Sequence, residues 1–467
     1  MWKTYVALRH SGRRETFTVG TSFSWAEWGG QRLQEDDVNA PVVDVSIEDQ
    51  VRSVRTGSTT ATELVSRART AIDAQEPVLQ AWVQMSSTTA EDVATIDADR
   101  RDLPLRGISV GVKDLIDVAG MPTRAGSPVT SAAAAVADAP CVERLRSLGA
   151  VVQGKTVTTE FGYFRPGPTR NPHAPEHTPG GSSSGSAAAV GAGTVPLALG
   201  TQTAGSLTRP ASYCGTAGLV LAHGSTEMAG IVGLSDSLDS LGLLTRTVAD
   251  LRYVHDAFLG SAAAVQSGLP ECAFVWGGSY LGYLDPPMIA LLGRLPSVLA
   301  GLGLHSEMLD WDDHVQTLAE DHATIMAFEA ARTRAREFER QRDDLSPQIR
   351  DLLQQGQTIS VSDHTAALIR RHRSRELLGE ILDGSSLIVG PAATGPAPKG
   401  LSATGSPILS RPWQLLGLPV VIVPGARTTA GLPLGIQLVG LPGREDDLFE
   451  VGERLEAILR ESPPLDE

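Results

Sequence analysis

Two kinds of residue in this 467-residue chain could do chemistry together: a lysine closing an apolar run, and serines in two glycine-flanked loops. Only four of the 39 basic residues are lysine, at Lys3, Lys113, Lys155 and Lys399, so arginine supplies nearly all the positive charge and each lysine raises a question. Lys113 closes GISVGVK, where Ile108, Val110 and Val112 alternate with small residues. An ammonium buried in such a place is costly to keep charged, so its pKa falls and a neutral amine is left that can act as a base. A guanidinium stays charged and cannot. The alternative is an ordinary strand end whose ammonium reaches the surface. The two loops are GGSSSGS from Gly180 and TAGSLTRP from Thr203. They offer hydroxyl nucleophiles and backbone donors, or only turns, since Ser and Gly are also what turns are made of.

Three shorter patterns fit their surroundings poorly. Gly149 to Thr156, GAVVQGKT, has the P-loop spacing, but Val151 and Val152 belong in a strand and no helix-forming run starts at Lys155. His173 to His177, HAPEH, has a zinc-site spacing that works only on a helix, and Pro172, Pro175 and Pro179 forbid one. Gly181 to Gly185, GSSSG, matches the esterase elbow around Ser183; Pro-rich loop precedes it where that elbow needs a strand, and it stands as the runner-up.

Among the elements that must hold these residues, GISVGVK predicts a buried strand, CVERLRSLGA a helix and AVVQGK a second strand, a rhythm that suggests a parallel sheet. Arg165 to Ser186 reads as irregular loop, SAAAVGAGTVPLALG as a helix, and TQTAGSLTRPASYCGTAG as another small-residue loop. Two capped helices, Ser46 with Asp49 and Thr60 with Glu63, lead into this region. Residues 1–44 form an appendage expected to be poorly ordered, about 270–385 reads as a helical insertion, strand-like runs return in LIVGPAATGP, LPVVIVPG and LPLGIQLVGLP, and DDLFEVGERLEAIL closes the chain as a helix.

Composition narrows the function. The formal charge of −15 and the lack of a basic cluster argue against nucleic acid or an anionic membrane as principal partner and favour small-molecule chemistry. Cys141, Cys214 and Cys272 are far apart, which indicates neither a disulfide framework nor a thiolate metal site and fits a reducing cytoplasm. No run approaches the roughly 18 consecutive apolar residues of a membrane span, and the first residues lack a continuous apolar core of the secretory kind.

The segments GISVGVKDLIDVAGMPTRAGSP, NPHAPEHTPGGSSSGSAAAVGAGTVPLALGTQTAGSLTRPASYCGTAGL and LDSLGLLTRTVADL, in that order, resemble the amidase signature family of amide hydrolases, as does WQLLGLPVVIVPGARTTAGLPLGIQLVG near the end. The resemblance covers roughly residues 45–460. It implies an α/β fold with a large mixed central sheet covered by helices on both faces, and a domain over 45–460 followed by a tail, 461–467. It places the family's catalytic lysine on Lys113, its cis-peptide serine on Ser182 and its nucleophile on Ser206. The implied oxyanion hole is the backbone of Thr203, Ala204, Gly205 and Ser206, with Thr201 as a supporting partner. No cofactor and no metal are implied.

Some residues depart from the family pattern. Ser184 and Ala204 stand where it more often has Gly, and LVLAHG after Gly218 replaces the common Gly-Leu-Lys-Pro. Arg209 is the candidate for substrate binding, a guanidinium able to hold a carboxylate in a bidentate pair; the alternative is that it braces its own loop. The implied partner is a small amide, carboxylated or urea-like, and the candidate assemblies are a homodimer or a complex with a small accessory subunit. Two other readings stand beside a free-standing amidase: an amidotransferase component supplying ammonia for tRNA-dependent amidation, and a catalytically inert member of a complex.

Overall fold

The run that ends in Lys113 is a strand with every residue buried, and in the computed structural model of the chain it lies within one sheet of eleven strands among the described residues. The structure describes residues 45–99, 101–260, 269–278 and 281–466. The appendage expected over 1–44 lies outside them.

The chain opens with α1 (Ile47–Arg55), α2 (Ala61–Leu79), β1 (Trp82–Met85) and α3 (Thr89–Ala98). Both expected caps form: Ser46 Oγ accepts from Asp49 N, and Thr60 and Glu63 make a reciprocal capping box. The serine and lysine region follows, with β2 (Ser109–Lys113), α4 (Pro140–Ser147), β3 (Val151–Thr156), α5 (Ser184–Gly191), β4 (Leu197–Gln202), α6 (Thr208–Cys214), β5 (Ala217–Val220), β6 (Ser240–Thr245) and α7 (Val248–Leu259). Next come β7 (Cys272–Val275), α8 (Pro286–Gly301), β8 (His305–Met308), α9 (Asp312–Thr333), α10 (Ala335–Arg340), α11 (Pro347–Thr358) and α12 (Val361–Leu382). The chain closes with β9 (Ser386–Pro391), α13 (Arg411–Leu416), β10 (Val420–Arg427), β11 (Pro433–Val439) and α14 (Glu445–Glu461).

The strand order is β1-β3-β2-β4-β6-β5-β10-β11-β9-β7-β8. Pairing is parallel for β3, β2 and β4 and for β9, β7 and β8, and antiparallel elsewhere, so the sheet is mixed. Every residue of β2, β3, β4, β5, β6 and β11 is buried, as a sheet covered on both faces requires. At the other end of the sheet, Trp276 just after β7 meets Trp413 of α13 edge to face at 5.0 Å, a pair that contributes about 1 kcal/mol beyond its area.

Local reading of the sequence erred where Gly and Pro divide an apolar stretch. SAAAVGAGTVPLALG is not one helix: α5 stops at Gly191, Gly193 takes a positive φ of 70°, Pro196 cannot continue a helix, and Leu197 onward joins the sheet as β4. Helix α5 also takes Ser184 to Ser186 from the expected loop. The second small-residue loop shrinks to residues 203–207, because α6 starts at Thr208. The stretch 270–385 holds β7 and β8 besides its helices, and these strands form the edge of the sheet. The segment set off as a tail is tied in as far as Leu465, whose N–H donates to Arg427 O at 2.9 Å and whose carbonyl accepts from Thr429 N at 2.9 Å.

Candidate active site

Lys113 sits at the buried end of β2 with no solvent exposure. Its Nζ lies 2.7 Å from Ser182 Oγ, 3.0 Å from Ser183 Oγ, 2.8 Å from Thr201 Oγ1 and 3.4 Å from Thr201 O. Burial pulls its pKa well below the ordinary 10.5, and the Asp239 carboxylate opposes this with a smaller effect. The three hydroxyls come from neighbouring elements. Ser182 and Ser183 lie in the turn into α5, and Thr201 lies on β4, parallel to β2. The Gly181–Ser182 peptide bond is cis.

The loop carrying Ser206 joins β4 to α6 and is held at both ends. Gln202 Oε1 accepts from Leu207 N and Thr208 N, each at 3.0 Å, which anchors the start of α6. Gln202 Nε2 donates to Gln414 Oε1 of α13 at 3.1 Å. Ser183 N donates to Ser206 O at 2.9 Å, tying the two serine loops together. Gly205 presses on the next loop: a Cβ there would stand 3.0 Å from Pro407 Cβ and 3.2 Å from Ser410 Oγ. Among the described residues the N–H groups of Ala204, Gly205 and Ser206 find no acceptor. They are donors left over beside a hydroxyl.

Ser182 and Ser206 face a cleft, together with Thr203, Ala204, Thr159, Thr404 and Arg209. Its apolar wall is Tyr163, Phe164, Leu234, Met326 and Pro407, and among the described residues no acidic side chain lines it. Arg209 is buried; its Nη2 donates to Gly181 O at 2.5 Å and Thr404 Oγ1 at 3.2 Å. Its Nε and Nη1 are buried without a partner among the described residues, and burial brings its pKa down to about 10. The guanidinium therefore braces the Gly181 carbonyl and still has donors to spare.

Several participants carry no signal in the sequence. Ser183, read only as the centre of an esterase pattern, touches Lys113. Asp239 accepts from Thr203 Oγ1 at 2.5 Å, Leu234 N at 2.7 Å and Ser235 N at 3.0 Å. His322, on α9, donates from Nε2 to Thr203 O at 2.8 Å. Lys155 is also buried, but it pairs with Asp114 at 2.9 Å on the strand that the P-loop pattern overlaps. The HAPEH segment is loop, with His173 Nε2 on Cys214 O at 2.9 Å. No cluster of metal-ligating side chains occurs among the described residues.

The family model described as Amidase matches residues 63–273. The putative amidase AmiA2 of Mycobacterium bovis is 32% identical over 455 residues, covering 88% of this chain and 93% of that protein. A glutamyl-tRNA(Gln) amidotransferase subunit of Chloroflexus aurantiacus is 30% identical over 85% of this chain and 93% of its own. A solved structure, described as a vestigial protein complex revealing the evolutionary origins of an s-triazine catabolic enzyme, superposes with a TM-score of 0.80 at 28% identity, covering 89% of this chain and 98% of that one. The chain belongs to the amidase family and is an amide-hydrolysing enzyme. No helix among its described residues is long and apolar enough to cross a membrane.

Proposed function

We propose that the chain hydrolyses a small amide through an acyl-enzyme on Ser206, with Ser182 as proton relay and Lys113 as base. The observation that carries this reading is the 2.7 Å contact between Lys113 Nζ, which has no solvent exposure, and Ser182 Oγ, in a place where burial pulls the pKa of the amine well below its ordinary value and so favours the neutral form. A neutral amine has a lone pair for the Ser182 proton, and Ser182 in turn takes the proton of Ser206 as its oxygen attacks the amide carbonyl. The free N–H groups of Ala204, Gly205 and Ser206 support the oxyanion that forms. Collapse of that intermediate breaks the C–N bond, and the proton returns through Ser182 to the leaving ammonia or amine. Water then cleaves the ester by the same relay, restoring Ser206 and releasing the carboxylic acid.

For the substrate we favour a small carboxylated or urea-like amide. The cleft has no acidic wall among the described residues and is lined by Arg209, whose Nε and Nη1 are unpartnered among the described residues. The reaction is assigned to a reducing cytoplasm on the strength of three free cysteines. The assembly is taken as a homodimer or a pair with a small accessory subunit. Similarity to an amidotransferase component favours a second reading, ammonia supply within a complex. An inert role in such a complex is disfavoured by the assembled lysine and serines.

The test is ammonia release by purified protein from amides, ureas and glutamine, with Ser206→Ala and Lys113→Ala alongside. Both variants are expected to lose at least about 10³-fold in kcat. Retained activity in Ser206→Ala would remove it as nucleophile. Arg209→Ala should weaken carboxylated amides more than neutral ones; equal losses would make it a loop brace alone. Glutamine turnover that appears only with partner subunits would favour the second reading.

A further inference from the structure

Helix α9 lies outside the stretch matched by the family model, yet one of its faces serves the site at three successive turns. His322 reaches Thr203, Met326 forms cleft wall, and Glu329 accepts from Ser235 Oγ at 2.7 Å, Ser237 N at 3.0 Å and Ser237 Oγ at 2.7 Å. These residues recur at i, i+4 and i+7, the spacing of one helical face.

His322 is the informative member. It has no solvent exposure, and its Nε2 is 2.8 Å from Thr203 O. A carbonyl only accepts, so Nε2 carries the proton; Nδ1 is then bare, and it is buried without a partner among the described residues. The ring is neutral: burial takes its pKa down to about 3, and Arg411 and Arg371 nearby oppose a charge as well. The Thr203 side chain is fixed independently by Asp239. The trans peptide unit between Thr203 and Ala204 is planar, so its C=O and its N–H point in opposite directions. Drawing the Thr203 oxygen toward α9 turns the Ala204 N–H away from α9, and that N–H has no acceptor among the described residues while Ala204 lines the cleft.

We propose that His322 is a positioning residue for amide hydrolysis: by holding the Thr203 carbonyl it orients the Ala204 N–H as an oxyanion donor. The proposal rests on the acyl-enzyme reading above and goes beyond it, because it assigns part of the transition-state geometry to a helix remote in sequence.

The test compares wild type with His322→Ala and His322→Gln on the amide that wild type turns over best, each variant first shown folded by circular dichroism and thermal melting. Loss of orientation at one donor should lower kcat by about 10- to 100-fold in His322→Ala, somewhat less than removing a donor outright, with KM changed by less than about 3-fold. Gln presents an N–H of similar reach and should recover most of that kcat. Full activity in His322→Ala overturns the proposal, and so does a Gln variant no better than Ala. If wild type hydrolyses none of the amides, it is the acyl-enzyme reading that fails. Nitrogen-15 NMR of the histidine rings then decides the His322 assignment separately. A neutral ring protonated at Nε2 between about pH 5 and 8 supports it, and an Nδ1-protonated or charged ring overturns it.

Discussion

Burial lowers the pKa of a lysine without solvent contact, and a carboxylate close by offsets that fall. Lys155 has such a partner in Asp114, whereas Lys113 is surrounded by hydroxyls, with Asp239 acting only as a more distant charge. The consequence can be measured. The unfolded chain holds the Lys113 proton up to about its ordinary 10.5, and the folded chain releases it well below that. Between the two values the unfolded state binds one proton more, so stability rises with pH through that window. Below the folded pKa both states are protonated and the dependence ends. In Lys113→Met the proton is absent from both states. Denaturant unfolding at a series of pH values approaching the ordinary lysine pKa from below should therefore show wild type gaining on the variant as the pH rises, whatever the variant's absolute stability. Equal slopes would mean that Lys113 stays charged in the folded protein. The strand that ends in Lys113 was legible locally from its alternation of apolar and small residues, but that pattern left open whether the ammonium is buried or reaches the surface. Ser183 was not legible, because its nearness to Lys113 depends on how the turn into α5 meets β2.

Among the elements, α9 depends on its packing against α11. Gly356 of α11 lies so close that a Cβ would stand 1.9 Å from Ala327 O and 2.7 Å from Ala331 Cβ, both on α9. Gly356→Ala must push the helices apart, and overpacking of this kind costs about 1–3 kcal/mol. Thermal melting should record the loss as a lowered Tm. Assayed well below that Tm, where the variant is still folded, amide hydrolysis should also fall, because α9 carries His322, Met326 and Glu329 to the site. Unchanged kcat in a folded, destabilised variant would show that α9 tolerates the shift. Element existence was largely readable from periodicity: the strand ending at Lys113, the helix after it and α14 follow their apolar patterns. What periodicity missed is instructive. Leu197 to Gln202 lacks alternation because both sides of β4 are covered, so the apolar run following Ala-rich α5 looked like more helix. Gly193 and Pro196 were the punctuation that separated them.

For the whole molecule, the charge of −15 surrounds a cleft that no carboxylate lines among the described residues and that Arg209 enters. The field outside should repel an anionic substrate while the buried guanidinium attracts it, and salt screens exposed charges much more than buried ones. For a carboxylated amide, kcat/KM should thus rise as salt increases from about 10 to 150 mM, over which the Debye length shrinks from about 30 Å to 8 Å. A neutral amide of the same size should show no such rise. A fall for the carboxylated amide alone would mean that its anion pairs with exposed rather than buried charge.

In the sequence by itself, apolar periodicity and turn residues located the strand that ends in Lys113 and the two glycine-serine loops, and long motifs carried the resemblance that implied the family and its mixed α/β fold, because all of these are properties of neighbouring residues; whether Lys113 is buried stayed open. Tertiary structure alone decided which groups complete the site. His322 lies 119 residues from the carbonyl it holds, and Arg209 spends one amino group on Gly181 O, 28 residues away, and on Thr404, 195 residues away. Such pairings arise from the order of strands in the sheet and the way α9 packs beside the serine loops, and no local pattern of residue types encodes a distance across the fold.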